Sequence, residues 1–146
     1  MRLTTFTDFA LRALMRLAGE PARTLSTNEI AAEFGISRNH LAKVVRDLAD
    51  NGFILTQRGA GGGLSLARPA ASITLGEVVR RLEGTSALVE CFREDGGGCA
   101  LTPRCRLKAK LAAAREAFMC ELDKTTLAEY AYIGPPRRSA LVLERR

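Results

Sequence analysis

Several absences narrow the reading of this 146-residue chain before any motif does. It has one histidine, His40, and no nucleophile-elbow sequence, so a hydrolytic constellation has nothing to build on and no enzymatic activity is expected. No run approaches the roughly 20 apolar residues of a membrane span. The opening MRLTTFTDFALRALMRLAG is interrupted by Arg2, Asp8, Arg12 and Arg16 and lacks the continuous apolar core of a signal peptide. A cytoplasmic protein with no membrane contact is therefore expected, and in that reducing compartment its four cysteines are thiols or ligands rather than disulfides. No two of them form a C-x2-C pair, which argues against an ordinary structural zinc site. Gly59, Gly61, Gly62 and Gly63 are followed neither by Lys-Ser/Thr nor by a helical pattern, so P-loop and dinucleotide-binding readings fail too.

What the chain does have is positive charge. Its 22 Lys and Arg against 16 Asp and Glu give a formal charge of +6, which favours a polyanionic partner such as DNA. The length suits one domain with a core, or a small head carrying an oligomerisation helix.

Apolar residues at Phe6, Phe9, Ala10, Ala13, Leu14 and Leu17 mark a first helix, with Thr7 placed to cap it, Asp8 in its positive first turn and Gly19 at its end. Ser26 and Glu29 form a capping-box pattern ahead of Ile30, Ala31 and Phe34, and Gly35 stops this second helix. Ser37 then caps RNHLAKVVRDLADNG, where Leu41, Val44, Val45 and Leu48 make one apolar stripe. Two short helices joined by a glycine turn, the second polar and basic at its start, form a helix-turn-helix signature. Ser37, Arg38, Asn39 and His40 are positioned to read base edges, and Lys43 and Arg46 to meet phosphates. Taken alone, that helix face fits ordinary solvation equally well.

The next stretch shifts the balance. FILTQRGAGGGLSLARP reads as strand, glycine turn and strand, with Ile54, Thr56, Leu64 and Leu66 supplying strand character. This is a wing, and Arg58 with the Gly59 backbone suits a phosphate edge or minor groove. The expected fold is mainly α with a small β-ribbon: a winged helix-turn-helix head followed by a long C-terminal dimerisation helix.

Thr74 caps a linking helix carrying Leu75, Val78, Val79 and Leu82 and ending at Gly84. Cys91, Cys99 and Cys105 follow at intervals of seven and five residues, with Gly96, Gly97 and Gly98 leaving the backbone free to wrap tightly around something bulky. Thr102 and Pro103 signal a helix reaching about Leu127, whose stripe Leu107, Leu111, Ala114, Phe118 and Leu122 is best buried against a second copy. Cys105 then falls in its first turn, where the positive helix end, Arg104 and Arg106 suit a negatively charged ligand atom. Cys120 lies fifteen residues beyond Cys105, roughly 22 Å along an unbroken helix, and reads as a semi-buried helix residue. From spacing, the other three cysteines are either ligands of an iron–sulfur cluster or unligated thiols. A fourth ligand would come from Asp8, Glu90, Glu94, Asp95 or His40. The chain divides into a DNA-binding domain with its linking helix (1–84), a sensor loop (85–106), a dimerisation helix (103–130) and a mobile tail (131–146).

Four stretches carry a family resemblance: LTTFTDFALRAL in the first helix, SRNHLAKVVRDL in the second helix of the turn, RGAGGGLSLARP in the wing, and the ordered cysteines ending in CRLKAKL. Together they resemble the winged-helix, iron–sulfur-cluster transcription regulators that include NsrR, IscR and RirA. The resemblance extends to about Tyr130. TDFALRAL and SRNHLAK are most similar to the nitric-oxide-sensing NsrR repressors, while the cysteine spacing is shared with RirA-like iron regulators. The resemblance implies that Cys91, Cys99 and Cys105 ligate a cluster, 4Fe-4S or alternatively 2Fe-2S, and that Asp8 supplies the fourth ligand from the other subunit of a homodimer. It further implies a repressor on palindromic double-stranded operator DNA that is released when nitric oxide nitrosylates the cluster. The alternatives are an iron-responsive RirA-like regulator, a redox or electron-transfer iron–sulfur protein, and a cluster-free winged-helix regulator.

Overall fold

The structure, a computed structural model, describes residues 2–84 and 86–135. Helix α1 spans Thr5–Ala18, α2 Thr27–Phe34 and α3 Arg38–Asp50; strands β1 (Ile54–Gln57) and β2 (Gly63–Leu66) follow, then α4 (Leu75–Glu83) and α5 (Arg106–Asp123). Two of the head's caps form as their local sequence dictates. Ser26 and Glu29 close the capping box of α2, and Ser37 Oγ accepts from His40 N at the start of α3. The Glu29 carboxylate accepts from the Ser26 backbone and hydroxyl and faces Arg23, which together outweigh partial desolvation and lower its pKa from 4.5 to about 2. Gly35 ends α2 at φ +63°, a left-handed conformation that lets the chain turn sharply into α3.

The cap of α1 differs from expectation. Thr4, not Thr7, is the N-cap: its backbone is extended, at φ −68° and ψ 155°, and its hydroxyl accepts from Thr7 N, whereas Thr7 already lies inside the helix, fully buried, with its own hydroxyl donating to Glu83.

α1 and α2 both pack on α3. Their shared core holds Leu14, Ile30, Leu41 and Leu48, each at most 1% exposed. β1 and β2 pair antiparallel, Ile54 opposite Leu66 and Gln57 opposite Gly63. Leu25 adds a third rung through mutual backbone bonds with Leu64, which ties the wing to the helices. Thr74 caps α4 as expected.

The C-terminal helix is shorter than the span 103–130. Thr102 and Pro103 begin only a three-residue 3-10 turn, Thr102–Arg104, and α5 starts at Arg106 with Cys105 as its N-cap rather than in its first turn. It stops at Asp123 because the chain turns back onto the head. Leu75 N donates to Thr125 O, Leu127 N donates to Ile73 O, and the Leu127 side chain is completely buried in the head core. A second capping box, Thr126 with Glu129, starts the separate turn Leu127–Tyr130.

The tail also departs from expectation in its first residues. Tyr132 N donates to Met15 O, and its ring lies 5.8 Å from that of Phe34, so Tyr132 anchors the first residues of the tail to α1 and α2. The remainder of the expected mobile tail, 136–146, lies outside the described residues. Among the described residues no helix is long and apolar enough to cross a membrane.

α5 rests on α4, where the Asp123 carboxylate lies against Gly76 with no space for a Cβ, and Arg80 bonds Glu116 at 3.0 Å and Asp123 at 2.6 Å. Of α5's side chains only Met119 is buried. Leu107 is 61% exposed and Phe118 37%.

Candidate nucleic-acid interface and thiol segment

The start of α3 presents Ser37, Arg38, Asn39 and His40 to solvent, with Lys43 and Arg46 exposed one and two turns on. Ser37's hydroxyl already serves as the cap acceptor, so among these residues Arg38 and Asn39 are the freer hydrogen-bonding groups. Arg38, Lys43, Arg46 and Arg58 make no ion pair among the described residues, leaving four cations uncompensated on this face and the wing. Arg58 and Gly59 are exposed at the tip of the ribbon. A shallow apolar recess lined by Phe6, Phe9, His40, Lys43 and Val44 sets the beginning of α1 directly beside the beginning of α3.

The thiols lie on the opposite side of α4 in sequence. Cys91 sits in a 3-10 turn, Glu90–Phe92; Cys99 lies in the following loop and Cys105 at the N-cap of α5. All three are half-buried free thiols, while Cys120 is exposed and donates to Glu116 at 3.4 Å, correcting its expected semi-burial.

Local bonds fold the segment back on itself. Gly98 N donates to Glu90 Oε1 at 2.9 Å, and Gly97, at φ +61°, passes so close that a Cβ would stand 2.6 Å from Glu90 O. Only glycine fits there, so the backbone contact pinches the first cysteine interval at its two ends. Thr102 N donates to Cys99 O at 3.1 Å, shortening the second. The thiols nonetheless do not converge: among the described residues, no group of three or more His, Cys, Asp or Glu is placed to hold a metal ion. A cleft of about 590 Å³ lies beside Cys91, lined also by Arg80, Arg93, Lys108, Arg115 and Met119.

Of the five fourth-ligand candidates, Glu90, Glu94 and Asp95 lie in the thiol segment and His40 and Asp8 in the head. Glu90 brackets Gly98, Asp95 bonds Arg93 and Gly97 N, and Glu94 is exposed. His40 belongs to the α3 face. Asp8 is on α1, 48% exposed, paired with Arg12 at 2.8 Å.

Sequence reasoning passed over Glu83, a carboxylate 6% exposed at the end of α4. Its position, four residues after core-facing Val79, was the available signal, since an acid on an apolar stripe needs buried donors.

An Rrf2 family profile, described as iron-dependent transcriptional regulator, matches residues 3–132. The chain belongs to the Rrf2 family. Among solved structures, this Rrf2 chain is similar to the oxidized form of Staphylococcus aureus CymR, at 29% identity and a TM-score of 0.70, over 92% of this chain and 100% of that one. B. subtilis CymR, described as the global cysteine regulator, is 28% identical with a TM-score of 0.68, over 90% of this chain and 99% of that one. T. potens IscR is 25% identical with a TM-score of 0.69, over 88% and 85%. Rrf2 proteins are transcription regulators rather than enzymes, and the mainly helical architecture with its two-stranded wing agrees with the expected fold.

Proposed function

We propose that this Rrf2 chain is a homodimeric, cytoplasmic repressor of the nitric-oxide-sensing NsrR type. Cys91, Cys99 and Cys105 would hold an iron–sulfur cluster, 4Fe-4S or alternatively 2Fe-2S, and Asp8 of a second copy would complete the ligand set. The observation that carries this reading is three free thiols, half-buried and confined to a self-closing segment, in a chain matched to a family described as iron-dependent. Thiolates are the donors iron–sulfur clusters take, so the set fits in kind. The glycines leave the loop the slack to bring the thiols together. When bound, such a group supplies iron that reacts with nitric oxide.

The remaining roles belong to the protein. Arg38 and Asn39 read base edges in the major groove, Ser37 and His40 complete the end of α3 that enters it, and Lys43 and Arg46 hold phosphates; Arg58 and the Gly59 backbone contact the flanking groove. Leu107 and Phe118, exposed on α5, provide the surface on which two copies meet, and a two-fold dimer of such heads matches a palindromic operator. Asp8, half-buried on α1 with its side chain 48% accessible and paired among the described residues with Arg12 one turn on, is within reach of a partner.

Anaerobic purification followed by nitric oxide titration tests the proposal, with absorbance and operator binding recorded on the same sample. A coloured protein whose operator affinity falls in step with added nitric oxide is expected, with both responses altered by Asp8→Ala. A colourless protein that still binds operator would instead support a second reading, a cluster-free thiol-responsive regulator. That reading is favoured by the thiols' lack of convergence and by the similarity to CymR. Release on iron depletion without a nitric oxide response would place the chain with the iron-responsive regulators.

A further inference from the structure

Glu83 is the last residue of α4, eight residues before Cys91, the first cysteine of the chain. Its Oε1 accepts three hydrogen bonds from the start of α1: from Thr4 N at 2.7 Å, Thr4 Oγ1 at 2.8 Å and Thr7 Oγ1 at 2.5 Å. Ser86, three residues beyond the helix end, also donates to the carboxylate. Burial opposes the charge, but the bonds from Thr7, Thr4 and Ser86 outweigh it and hold the carboxyl below its usual range. The group is therefore an ionised acceptor that joins the end of α4, the first residues of the cysteine segment and the first turn of α1.

This junction is buried, Thr7 completely and Glu83 to 6% exposure. A cleft of about 270 Å³ flanks it, lined by Arg2, Leu3, Ser86, Leu88, Arg115 and Met119. On its far side the same turn of α1 continues directly into the DNA-reading surface. Thr7 lies between Phe6 and Asp8, and Phe6 and Phe9 share an apolar recess with His40 and Lys43 of α3. The first turn of α1 thus connects the end of α4, through the Glu83 bonds, to α3, on which α1 packs.

We infer that Glu83 is a positioning residue that transmits the state of the cysteine segment to α1, and through α1 to Asp8 and α3. This inference rests on the reading of residues 91–105 as the sensor. Glu83 does not ligate the sensor's metal; it fixes where α1 begins relative to α4. A displacement of the segment that pulls on Gly84 and Ser86 moves the carboxylate, and the two threonines follow it. Physical coupling of this kind requires that both ends respond to one shared element, and the Glu83 carboxylate is that element here.

The test compares the full chain as wild type, Glu83→Gln and Thr7→Val. Glu83→Gln preserves size and removes the charge, while Thr7→Val removes one donor and leaves Thr4 and Ser86 in place. Amide hydrogen exchange is measured with the thiols free and after carboxamidomethylation by iodoacetamide, so that no bound metal is required. In the wild type, blocking the thiols is expected to change exchange at residues 7–10 about tenfold, the scale of one hydrogen bond to a charged group. In both variants that response should shrink to within about twofold of unity, while protection in α2 and the centre of α3 stays at the wild-type level. A merely structural role would raise exchange near α1 equally in both thiol states and leave the response intact. An equal response in all three proteins, or none in the wild type, overturns the inference. Nitric oxide titration of wild-type operator binding is run in parallel. Its failure with the exchange response intact overturns the nitric oxide reading and not the role of Glu83.

Discussion

In the head, Leu14, Ile30, Leu41 and Leu48 are at most 1% exposed, whereas α5 buries Met119 and leaves Leu107 61% exposed and Phe118 37% exposed. The head comes close to satisfying itself: caps, wing and most of the core lie within residues 4–78, and the returning Leu127 completes the core from outside. The region from Gly84 through α5 does not. Its cysteines are free and Leu107 and Phe118 stay exposed on α5, so under the proposed function other molecules complete it, a second copy on α5 and iron at the cysteines. A regulator needs this asymmetry, because a reading head must keep its shape while the sensing part must adopt two states.

Substitutions in the two regions give a graded way to break the contrast. The largest effect is expected from Leu14→Ala, which opens a cavity in the most enclosed part of the head and should cost about 2–5 kcal/mol by denaturant unfolding. Arg38→Ala comes next. It should lose about 1–3 kcal/mol on the specific operator with a smaller loss on random duplex, while Lys43→Ala weakens both and flattens the salt dependence. Equal losses on both duplexes for Arg38→Ala would remove it from the reading set.

Ser26→Ala removes the acceptor of the α2 capping box and should cost about 1 kcal/mol. The same box carries an acid dependence. Because the Glu29 carboxyl is lowered in the folded chain from 4.5 to about 2, its contribution is complete above 4.5 and is lost as the pH falls toward 2. Glu83, also lowered, adds in the same direction. Thermal melts across that window should decline on acidification, less steeply in Glu83→Gln. The smallest effect on the folded monomer is expected from Leu107→Ala, within about 0.5 kcal/mol, and its consequence should be a shift toward monomer in sedimentation. A several-kcal/mol loss in the monomer would mean that α5 is packed more like the head.

What was legible in the sequence follows the same division. Ser26, Ser37, Thr74, Gly35 and the wing were readable because each depends on neighbours within a few residues. Thr4 and Thr7 were not distinguishable locally. Two hydroxyls stand three residues apart, both bond the distant Glu83, and the one whose backbone is extended caps, which the pattern of residue types does not reveal. The end of α5 was misplaced for a related reason: residues 124–130 carry no helix breaker, and burial of Leu127 against the head turns the chain. The docking of Tyr132 on Met15 left no periodic trace at all. At the thiol segment the spacing of Cys91, Cys99 and Cys105 was plain, but spacing says nothing of convergence. The Glu90–Gly98 and Thr102–Cys99 bonds that shape the loop are tertiary or turn contacts of a glycine-rich stretch.

The relation between the two regions is tested most directly by replacing Cys91, Cys99 and Cys105 together with serine and measuring operator affinity anaerobically against added nitric oxide. The substituted protein should retain the fold of the head, carry no iron, bind operator as weakly as nitric-oxide-treated wild type, and show no further response. Operator affinity and a nitric oxide response equal to those of the untreated wild type would contradict control of the head by the thiols.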